Sequence, residues 1–274
     1  MGNLPDDFMF SQSSLQDFVD CPRRFELKYL LKQRFPAPEV DDMLEFERRM
    51  EQGSRFHLLI HQHQIGIPAE LLLSRIRDDE VKVWFETYLK NGLDGVPENR
   101  HPEKTLTIPL GDYGLLAKID LLAVGDSIKI IDWKTSRHIP KPASLEKRLQ
   151  TRVYRYVVAK GAAYLNGGKS IAPEQIEIVY WYAAHDGGTR RFPYSQAQFE
   201  ADEAYLRQLI DDIDKSQTFP LTDDERRCKF CIYRSLCDRG RIAGKIDELE
   251  LDYDDIIDLD DFQIDIDQIA EIEF

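Results

Sequence analysis

The pattern of apolar positions along the chain predicts helices first, then a meander of strands, and then helices and strands again. Apolar residues at helical spacing predict helices over residues 14–31, 41–63, 69–89, 144–165 and 195–215. Short apolar runs bounded by turn residues predict strands over residues 105–110, 115–124, 127–133, 176–183 and 189–192. This order predicts an α/β fold with a mixed central β-sheet flanked by helices.

The hairpin in the middle of the chain carries two aspartates and a lysine on otherwise apolar strands. If its turn is the three-residue loop Gly125-Asp126-Ser127, Asp120 lies directly opposite Asp132, whereas a two-residue loop shifts the register by one. Side chains alternate along a strand, so Asp132 and Lys134 share a face, which the first register extends to Asp120. Directly opposed carboxylates repel each other, and a cation between them relieves that repulsion.

Two carboxylates and a lysine suit metal-assisted hydrolysis of a phosphodiester. The carboxylates of Asp120 and Asp132 would hold Mg²⁺, and Lys134 would orient the nucleophile or neutralise the developing charge. An Asp-x-Lys sequence also occurs at solvated strand ends, so these three residues alone leave a purely structural role open.

The four cysteines form a second candidate site. Cys21 lies inside the predicted N-terminal helix, and Cys228, Cys231 and Cys237 follow about two hundred residues later in a C-x2-C-x5-C pattern. Four thiolates can complete the shell of one metal centre, which would join the N-terminal helix to the C-terminal segment. The spacing alone does not separate zinc from an iron–sulfur cluster.

Disulfides are not expected, because residues 1–10 are polar and acidic and lack the apolar core of a signal peptide. No apolar run reaches the ~20 residues that a membrane helix requires. We therefore expect a soluble, cytoplasmic protein without a membrane partner.

The charge of the chain is concentrated at its C-terminal end. The net charge is −14, and residues 247–274 contain thirteen Asp or Glu and no Lys or Arg, which leaves −1 for residues 1–246. The body is therefore nearly neutral, and its basic stretches, Lys134–Lys141 and Lys147–Arg155, can form a local positive face. The acidic tail is interpreted as a solvated extension, a DNA mimic that folds onto the basic face and inhibits it, or a protein-docking peptide.

Together these residues resemble the PD-(D/E)XK nuclease superfamily, and specifically its RecB-like branch. Asp120 and the run Ile131-Asp132-Trp133-Lys134-Thr135 resemble the motif that names the superfamily. Gly53-Ser54-Arg55-Phe56-His57 is similar to the G-x-x-x-H element of that branch, and Gln150 to Tyr154 is similar to its Q-x-x-x-Y helix. Cys21-Pro22, followed by Phe25, resembles the opening helix, so the likeness covers roughly residues 11–240.

The resemblance implies a restriction-endonuclease-like nuclease domain over residues 1–246, followed by the acidic tail 247–274. Within that domain it implies a helical N-terminal part (11–100), a catalytic sheet with helices (101–215) and a cysteine-rich cluster segment (216–246). Ile119 stands where many members have proline, and Glu103 is a possible substitute for an acidic residue that some members carry before the sheet.

The resemblance also implies roles for individual residues. His57, Asp120, Asp132 and the backbone carbonyl of Trp133 would bind Mg²⁺ or Mn²⁺, and Lys134 would be the catalytic lysine. Gln150 and Tyr154 share a helix face and would touch DNA or order the site. As in AddB-type and CRISPR-associated exonucleases, the cysteines would hold a 4Fe–4S cluster, with zinc as the alternative: Cys21, Cys228, Cys231 and Cys237.

The predicted function is that of a metal-dependent DNA nuclease, an exonuclease acting on DNA ends or single strands in repair, recombination or CRISPR adaptation. The chain has no G-x-x-x-x-G-K-[ST] phosphate loop, so unwinding would come from a helicase or another partner protein of that pathway. The alternative is a catalytically weak nucleic-acid-binding or scaffolding subunit of a helicase–nuclease complex.

Overall fold

The computed structural model describes residues 4–5, 7–33 and 43–240, so the acidic tail lies outside the described residues. The strands are β1 Met9–Ser11, β2 Asn99–Leu110, β3 Tyr113–Val124, β4 Ile128–Lys134, β5 Ile176–Tyr182 and β6 Gly188–Pro193. The helices are α1 Gln12–Asp20, α2 Pro22–Phe25, α3 Met43–Gln64, α4 Ala69–Leu73, α5 Asp79–Thr87, α6 Pro142–Lys147, α7 Leu149–Gly161 and α8 Gln196–Lys215.

All six strands belong to one mixed sheet, which confirms the predicted α/β class. Strand β3 is its centre, and β2 runs antiparallel along one whole edge of it. The other edge is shared, because β1 pairs with residues 114–116 in parallel and β4 pairs with residues 121–124 antiparallel. Beyond β4, the sheet continues with β5 in parallel and then with β6 antiparallel.

Helices cover both faces of this sheet, which explains why β4 is apolar on both sides. Helices α1, α2, α7 and α8 pack on one face, with Leu15, Val153 and Leu206 in a continuous core. Helices α3 and α5 pack on the other face around an aromatic group that includes Phe56 and Trp133. The two faces bury separate cores, and the catalytic candidates lie where the sheet between them opens.

Three of the predicted helices are interrupted where local chemistry ends them. The helix predicted over 14–31 breaks at Cys21, which is extended (φ −163°) and precedes Pro22 at the start of α2. Ser11, rather than Ser14, caps α1. Its Oγ accepts a hydrogen bond from the Ser14 N–H, and the Ser14 Oγ accepts one from the Ser11 N–H, which makes a capping box. Cys21 is therefore on a bend between helices, not inside one helix.

The other two interruptions follow the same logic. The helix predicted over 69–89 divides after α4, because Asp78 caps a new helix by accepting bonds from the N–H groups of Glu80 and Val81. The helix predicted over 144–165 divides at Arg148, whose backbone is extended (ψ 143°). Strand β1 and the first part of β2 were not predicted, since β1 has three residues and β2 contains Pro102.

The alternation of side chains along β3 changes phase at Asp120. Leu115, Ala117 and Ile119 point into the same core as Leu122 and Val124, so two residues rather than one separate Ile119 from Leu122. On the facing strand, Glu103 adopts a left-handed backbone conformation (φ 48°). Such distortions change the direction of side chains at functional sites. Here the distortion of both strands lies at acidic residues, Asp120 on β3 and Glu103 on β2.

Candidate functional site

Asp120 lies in a gap between two strands that share one edge of β3. The ladder with β1 ends at Leu116 and the ladder with β4 begins at Leu121. In this gap the Asp120 carboxylate accepts a hydrogen bond from the backbone N–H of Trp133, with 2.8 Å between Oδ2 and N. A side chain thus replaces a strand–strand hydrogen bond, and it joins Asp120 to the end of β4.

The observed hairpin register is the one expected for a three-residue loop. Leu121 pairs with Ile131 and Val124 pairs with Ile128. The turn is closed by a bond from Gly125 N–H to the Ser127 carbonyl, 3.2 Å long. Continuing that register by one pair places Asp120 and Asp132 opposite each other where the strands separate, which is the first of the two registers that the sequence left open.

Helix α3 brings His57 to the same gap. Phe56 is fully buried and stacks on Trp181 of β5, with 6.0 Å between ring centroids, which fixes the rotation of the helix. The next residue, His57, then places Nδ1 3.5 Å from Asp120 Oδ2. A residue from the N-terminal helical part and one from the sheet therefore meet, although 63 positions separate them in the sequence.

The surroundings of Asp120 favour its neutral form when no cation is present. Burial raises the pKa of Asp120 to about 7, and nearby Asp132 and Glu103 add to the rise, while His57 and the Trp133 N–H oppose it. A cation bound beside Asp120 would favour its charged form, because the positive charge offsets both the burial and the repulsion from Asp132 and Glu103.

Lys134 and Asp132 form a buried ion pair at the end of β4. Lys134 Nζ lies 2.9 Å from Asp132 Oδ2, and Lys134 is only 1% exposed. Parallel pairing with β5 sets Asp132 beside Tyr180, and Lys134 Nζ lies 5.8 Å from the centre of the Tyr180 ring. Burial of this charged pair is costly, so its position in a sheet interior points to a functional role.

Helix α7 completes the arrangement from the neighbouring layer. Gln150 is buried, and its Nε2 donates to Asp132 Oδ1 at 2.7 Å. Thr151 anchors the helix beside it through bonds of 2.6 Å to the Tyr180 hydroxyl and to the Leu145 carbonyl. Gln150 therefore holds one oxygen of Asp132 while Lys134 faces the other.

Tyr154 lies one turn further along α7 and belongs to the same group. Its pKa is raised well above the usual value, first by burial and then by the negative charges of Asp132 and Asp120. The raised pKa keeps the Tyr154 hydroxyl protonated at neutral pH. It can therefore donate a hydrogen bond at this site, but it cannot act as a base.

The donor chemistry of the gap suits a hard divalent cation. Two carboxylates, an imidazole and a backbone carbonyl form the type of oxygen-rich ligand set that Mg²⁺ and Mn²⁺ accept. Within residues 4–5, 7–33 and 43–240, however, no three His, Cys, Asp or Glu side chains already converge as a metal-binding group. Asp132 points instead to Lys134 and Gln150, so the ligand roles of His57, Asp120, Asp132 and Trp133 stay predictions.

The four cysteines are free thiols, and in the part of the chain that the structure describes no three of them converge as a metal-binding group. Burial raises the pKa of Cys228, Cys231 and Cys237, and Cys21 contributes to the rise at each of them. The fold thus brings Cys21 to the distant cysteine segment. A four-thiol set suits zinc or an iron–sulfur cluster, and its ligand role stays a prediction.

Ordinary protein contacts also attach the cysteine segment to the N-terminal helices. Phe219 stacks on Phe25 with 6.1 Å between ring centroids, and Arg23 N–H donates to the Pro220 carbonyl at 3.2 Å. Arg227 lies 3.2 Å from Asp20, the residue next to Cys21. The segment is therefore docked by packing and hydrogen bonds as well as by any bound metal.

The predicted basic face is smaller than the sequence suggested. Arg155 is 2% exposed and donates to the Pro193 carbonyl at 3.0 Å. Arg152 and Arg155 both lie within an ion-pair distance of the buried Asp202. Lys134 and Arg155 are therefore removed from the predicted basic face, whereas Arg137, Lys141 and Lys147 are exposed.

The structure adds Glu103 to the surroundings of Asp120. From the sequence alone its position was uncertain, because Pro102 is unusual inside a strand and β2 was predicted to begin only at residue 105. The flanking pairs Pro102↔Leu121 and Lys104↔Ile119 place it opposite Asp120. Its left-handed backbone and its effect on the pKa of Asp120 mark it as part of the acidic surroundings of the gap.

A family model described as the PD-(D/E)XK nuclease superfamily matches residues 9–238. The chain therefore belongs to the PD-(D/E)XK nuclease superfamily, whose members hydrolyse phosphodiester bonds.

Two solved structures show similarity at low sequence identity. One, described as "Crystal structure of SSO0001", is 19% identical with a TM-score of 0.38, and the alignment covers 86% of this chain and 88% of that one. The other, described as "Putative exonuclease" from Eubacterium rectale, is 12% identical with a TM-score of 0.49, covering 95% and 94%. No curated protein matches the chain.

Among residues 4–5, 7–33 and 43–240, no helix has the length and apolar character needed to cross a membrane.

Proposed function

We propose that this chain is a metal-dependent DNA nuclease that acts as an exonuclease on DNA ends or single strands. The observation that supports it most is the buried Lys134–Asp132 pair, 2.9 Å apart, at the gap where Asp120 and His57 also meet. Charged groups are buried together at such cost when a reaction requires them.

Each residue of the gap has a separate task in this proposal. His57, Asp120, Asp132 and the Trp133 carbonyl would hold Mg²⁺ or Mn²⁺. When bound, that cation supplies Lewis-acid stabilisation of the phosphate and lowers the pKa of water. The Lys134 ammonium then stabilises the negative charge that develops on the phosphate. This electrostatic interaction is strongest in a buried, water-poor site.

The residues of α7 position the reacting groups. Gln150 holds Asp132 by the bond of 2.7 Å, and the protonated Tyr154 hydroxyl is available to donate to a phosphate oxygen.

In the hydrolysis, the oxygen of water bonds to phosphorus and loses its proton to solvent, and the bond to the leaving oxygen breaks. The leaving oxygen takes up a proton, so one product ends in phosphate and the other in a hydroxyl.

We propose that the cysteines hold a structural 4Fe–4S cluster, with zinc as the alternative. The docking of the C-terminal segment beside Cys21 supports a shared centre, because the Arg23 N–H donates to the Pro220 carbonyl and Arg227 lies 3.2 Å from Asp20. Either occupant would fasten the bend between α1 and α2 to the C-terminal segment, adding to the contacts of Phe219 and Arg227.

The biological setting that we propose is DNA repair, recombination or CRISPR adaptation. A helicase or another protein of that pathway would supply unwound strands. The tail of residues 247–274 would compete with DNA for the nuclease or dock on that protein, which its thirteen acidic residues and lack of Lys or Arg favour.

The test is a cleavage assay on end-labelled single-stranded and duplex DNA with Mg²⁺ or Mn²⁺. Lys134→Ala should lower the rate by roughly 10²-fold or more, the typical loss for one electrostatic stabiliser. Lys129→Ala is the matched control, because Lys129 lies on the same strand but pairs with Glu177 at 2.5 Å, away from the gap. Circular dichroism would show whether each variant is folded.

Product lengths would separate trimming from the ends from internal cutting. Equal rates for Lys134→Ala and the parent protein would refute the role of Lys134. Absence of cleavage by the parent protein, with DNA still bound, would favour the scaffolding alternative.

A further inference from the structure

A groove lined by three arginines is formed in part by α3, the helix that also carries His57 of the candidate site. Its volume is about 280 Å³, and its lining comes from α3, from the connection before α5 and from the first turn of α5. The basic residues in the lining are Arg48, Arg55 and Arg77. The site chemistry described above uses none of them.

Helix geometry places two of these arginines on one face. Arg48, Gln52 and Arg55 recur at i, i+4 and i+7 of α3, so they form a row on the helix surface. Arg55 and Arg77 are exposed, and the Arg48 side chain is 58% exposed. Arg48 lies 3.7 Å from Glu45 and 4.0 Å from Asp78, so Arg55 and Arg77 are the arginines whose guanidinium groups can reach a ligand in the groove.

The acidic groups of the groove are partly engaged within the protein. Asp78 accepts bonds from the backbone N–H groups of Glu80 and Val81 through Oδ1 and from Gln52 Nε2 through Oδ2, the last at 2.9 Å. Glu51 is the remaining acidic residue of the lining. With three arginines against two acids, the groove keeps a positive excess.

A chain of hydrogen bonds connects this groove to Arg137, in the loop that follows β4. Gln52 is buried, and its Nε2 also lies 3.3 Å from Glu80 Oε2. Both carboxylate oxygens of Glu80 accept a hydrogen bond from Arg137 Nη2, at 3.1 Å for Oε1 and 3.2 Å for Oε2. Arg137 stands three positions after Lys134, so this chain of contacts ends in the loop that follows β4.

The geometry points to this groove as the subsite for the phosphate backbone of a single DNA strand that leads to the active site. The inference rests on the proposed nuclease function and names the surface that holds its substrate. Arginine suits phosphate because its planar guanidinium offers paired donors and stays charged. Such contacts position a strand without reading its sequence.

The test measures binding separately from cleavage. Labelled single-stranded DNA is titrated with the full-length protein, without divalent cation, by fluorescence anisotropy over a range of salt concentrations. The double variant Arg55→Ala/Arg77→Ala should weaken binding for every DNA sequence. It should also reduce the slope of log K against log salt by about 0.7 for each lost phosphate contact, or about 1.4 in total.

Two matched variants make the result specific to the groove. Arg75→Ala removes an exposed arginine from the same connection that does not line the groove, and it should leave the slope unchanged. Arg55→Lys/Arg77→Lys keeps the charge and should retain most of the slope. An unchanged slope in the double alanine variant would overturn the inference, as would an equal loss in Arg75→Ala.

Cleavage measured in parallel separates this inference from the proposed function. If the parent protein cuts DNA while the slope of the double variant is unchanged, the groove inference fails and the nuclease stands. If the slope falls although the parent protein cuts no DNA, the groove stands and the nuclease proposal fails.

Discussion

The carboxylate of Asp120 accepts the backbone N–H of Trp133 at 2.8 Å, across the point where β3 and β4 separate. This hydrogen bond has two roles, one in the stability of the fold and one in the proposed activity. It satisfies a buried N–H that has lost its strand partner, and it holds an acidic residue next to Asp132. Stability and activity should therefore respond differently to two substitutions of the same residue.

Asp120→Asn should keep the fold and lose the activity. The amide oxygen of asparagine can still accept the Trp133 N–H, whereas the charge needed for the cation is gone. Asp120→Ala should also lose activity and in addition lower the free energy of unfolding by about 1–3 kcal/mol, because the buried N–H is left unpaired. Chemical denaturation and a cleavage assay on both variants would check this.

Metal binding gives the same variants a second readout. Saturating Mn²⁺ should raise the melting temperature of the parent protein, with a stabilisation of about 2.7 kcal/mol at one hundred times the dissociation constant. Neither Asp120 variant should respond. A full Mn²⁺ response in Asp120→Asn would exclude Asp120 as a ligand.

Replacing one cysteine of the proposed cluster should remove the metal and destabilise the C-terminal segment. Cys21→Ala and Cys231→Ala should each lose bound iron and sulfide, or zinc, as measured by elemental analysis of anaerobically purified protein. Tyr233→Phe is the control, because it deletes the bond from the Tyr233 hydroxyl to the Gln33 carbonyl, 3.1 Å long, and leaves all four thiols.

The control should cost about 0.5–1.5 kcal/mol and keep a full complement of metal. Purified parent protein that is stable and contains neither iron nor zinc would end the cluster proposal. Iron with sulfide would identify the iron–sulfur form, and zinc alone would identify the alternative.

Removal of the acidic tail should tighten DNA binding if the tail competes with DNA. Truncation after Lys245 deletes all thirteen acidic residues of 247–274, so affinity for single-stranded DNA at fixed salt should increase. A full-length variant with those acids changed to Asn and Gln should behave like the truncation. Equal affinity for all three proteins would refute autoinhibition.

His63 and His101 should make the protein less stable as the pH is lowered through the titration range of histidine, whereas Asp120, whose pKa burial raises to about 7, contributes in the opposite direction. Burial lowers the pKa of His63, with nearby Arg100 adding to the effect, and its Nδ1 lies 3.0 Å from the Tyr88 hydroxyl. Burial also lowers the pKa of His101, assisted by Lys104. Below about pH 6.5 these two histidines therefore bind more protons in the unfolded chain than in the folded one.

The expected loss begins near pH 6.5 and continues down to the lower pKa of the folded state. Each proton contributes a slope of at most about 1.4 kcal/mol per pH unit. His63→Gln keeps a partner for the Tyr88 hydroxyl and should reduce the slope of unfolding free energy against pH. An identical slope in that variant would show that His63 does not contribute.

The local chemistry of the sequence was sufficient to predict the central hairpin. Alternation and a short turn limited the hairpin to two registers, since the geometry of a short turn and two strands is determined locally, and the structure has the one that pairs Leu121 with Ile131. The mixed α/β class followed from the order of the elements for the same reason. Helix ends were predicted less well, because Ser11, Asp78 and Arg148 act through capping and backbone details that periodicity does not contain.

The assembly of the site depended on contacts between distant segments. The sequence by itself named Asp120, Asp132, Lys134 and the Gln150 helix as candidates, because carboxylates, a lysine and an amide in apolar elements require an explanation. Only the tertiary structure decided that β1 and β4 share one edge of β3, which opens the gap for Asp120. It also decided that Arg152 and Arg155 serve the buried Asp202, whereas arginines of α3 and of the connection before α5 line a groove. Long-range packing sets which charges are buried and which are exposed, and no local pattern of residues contains that information.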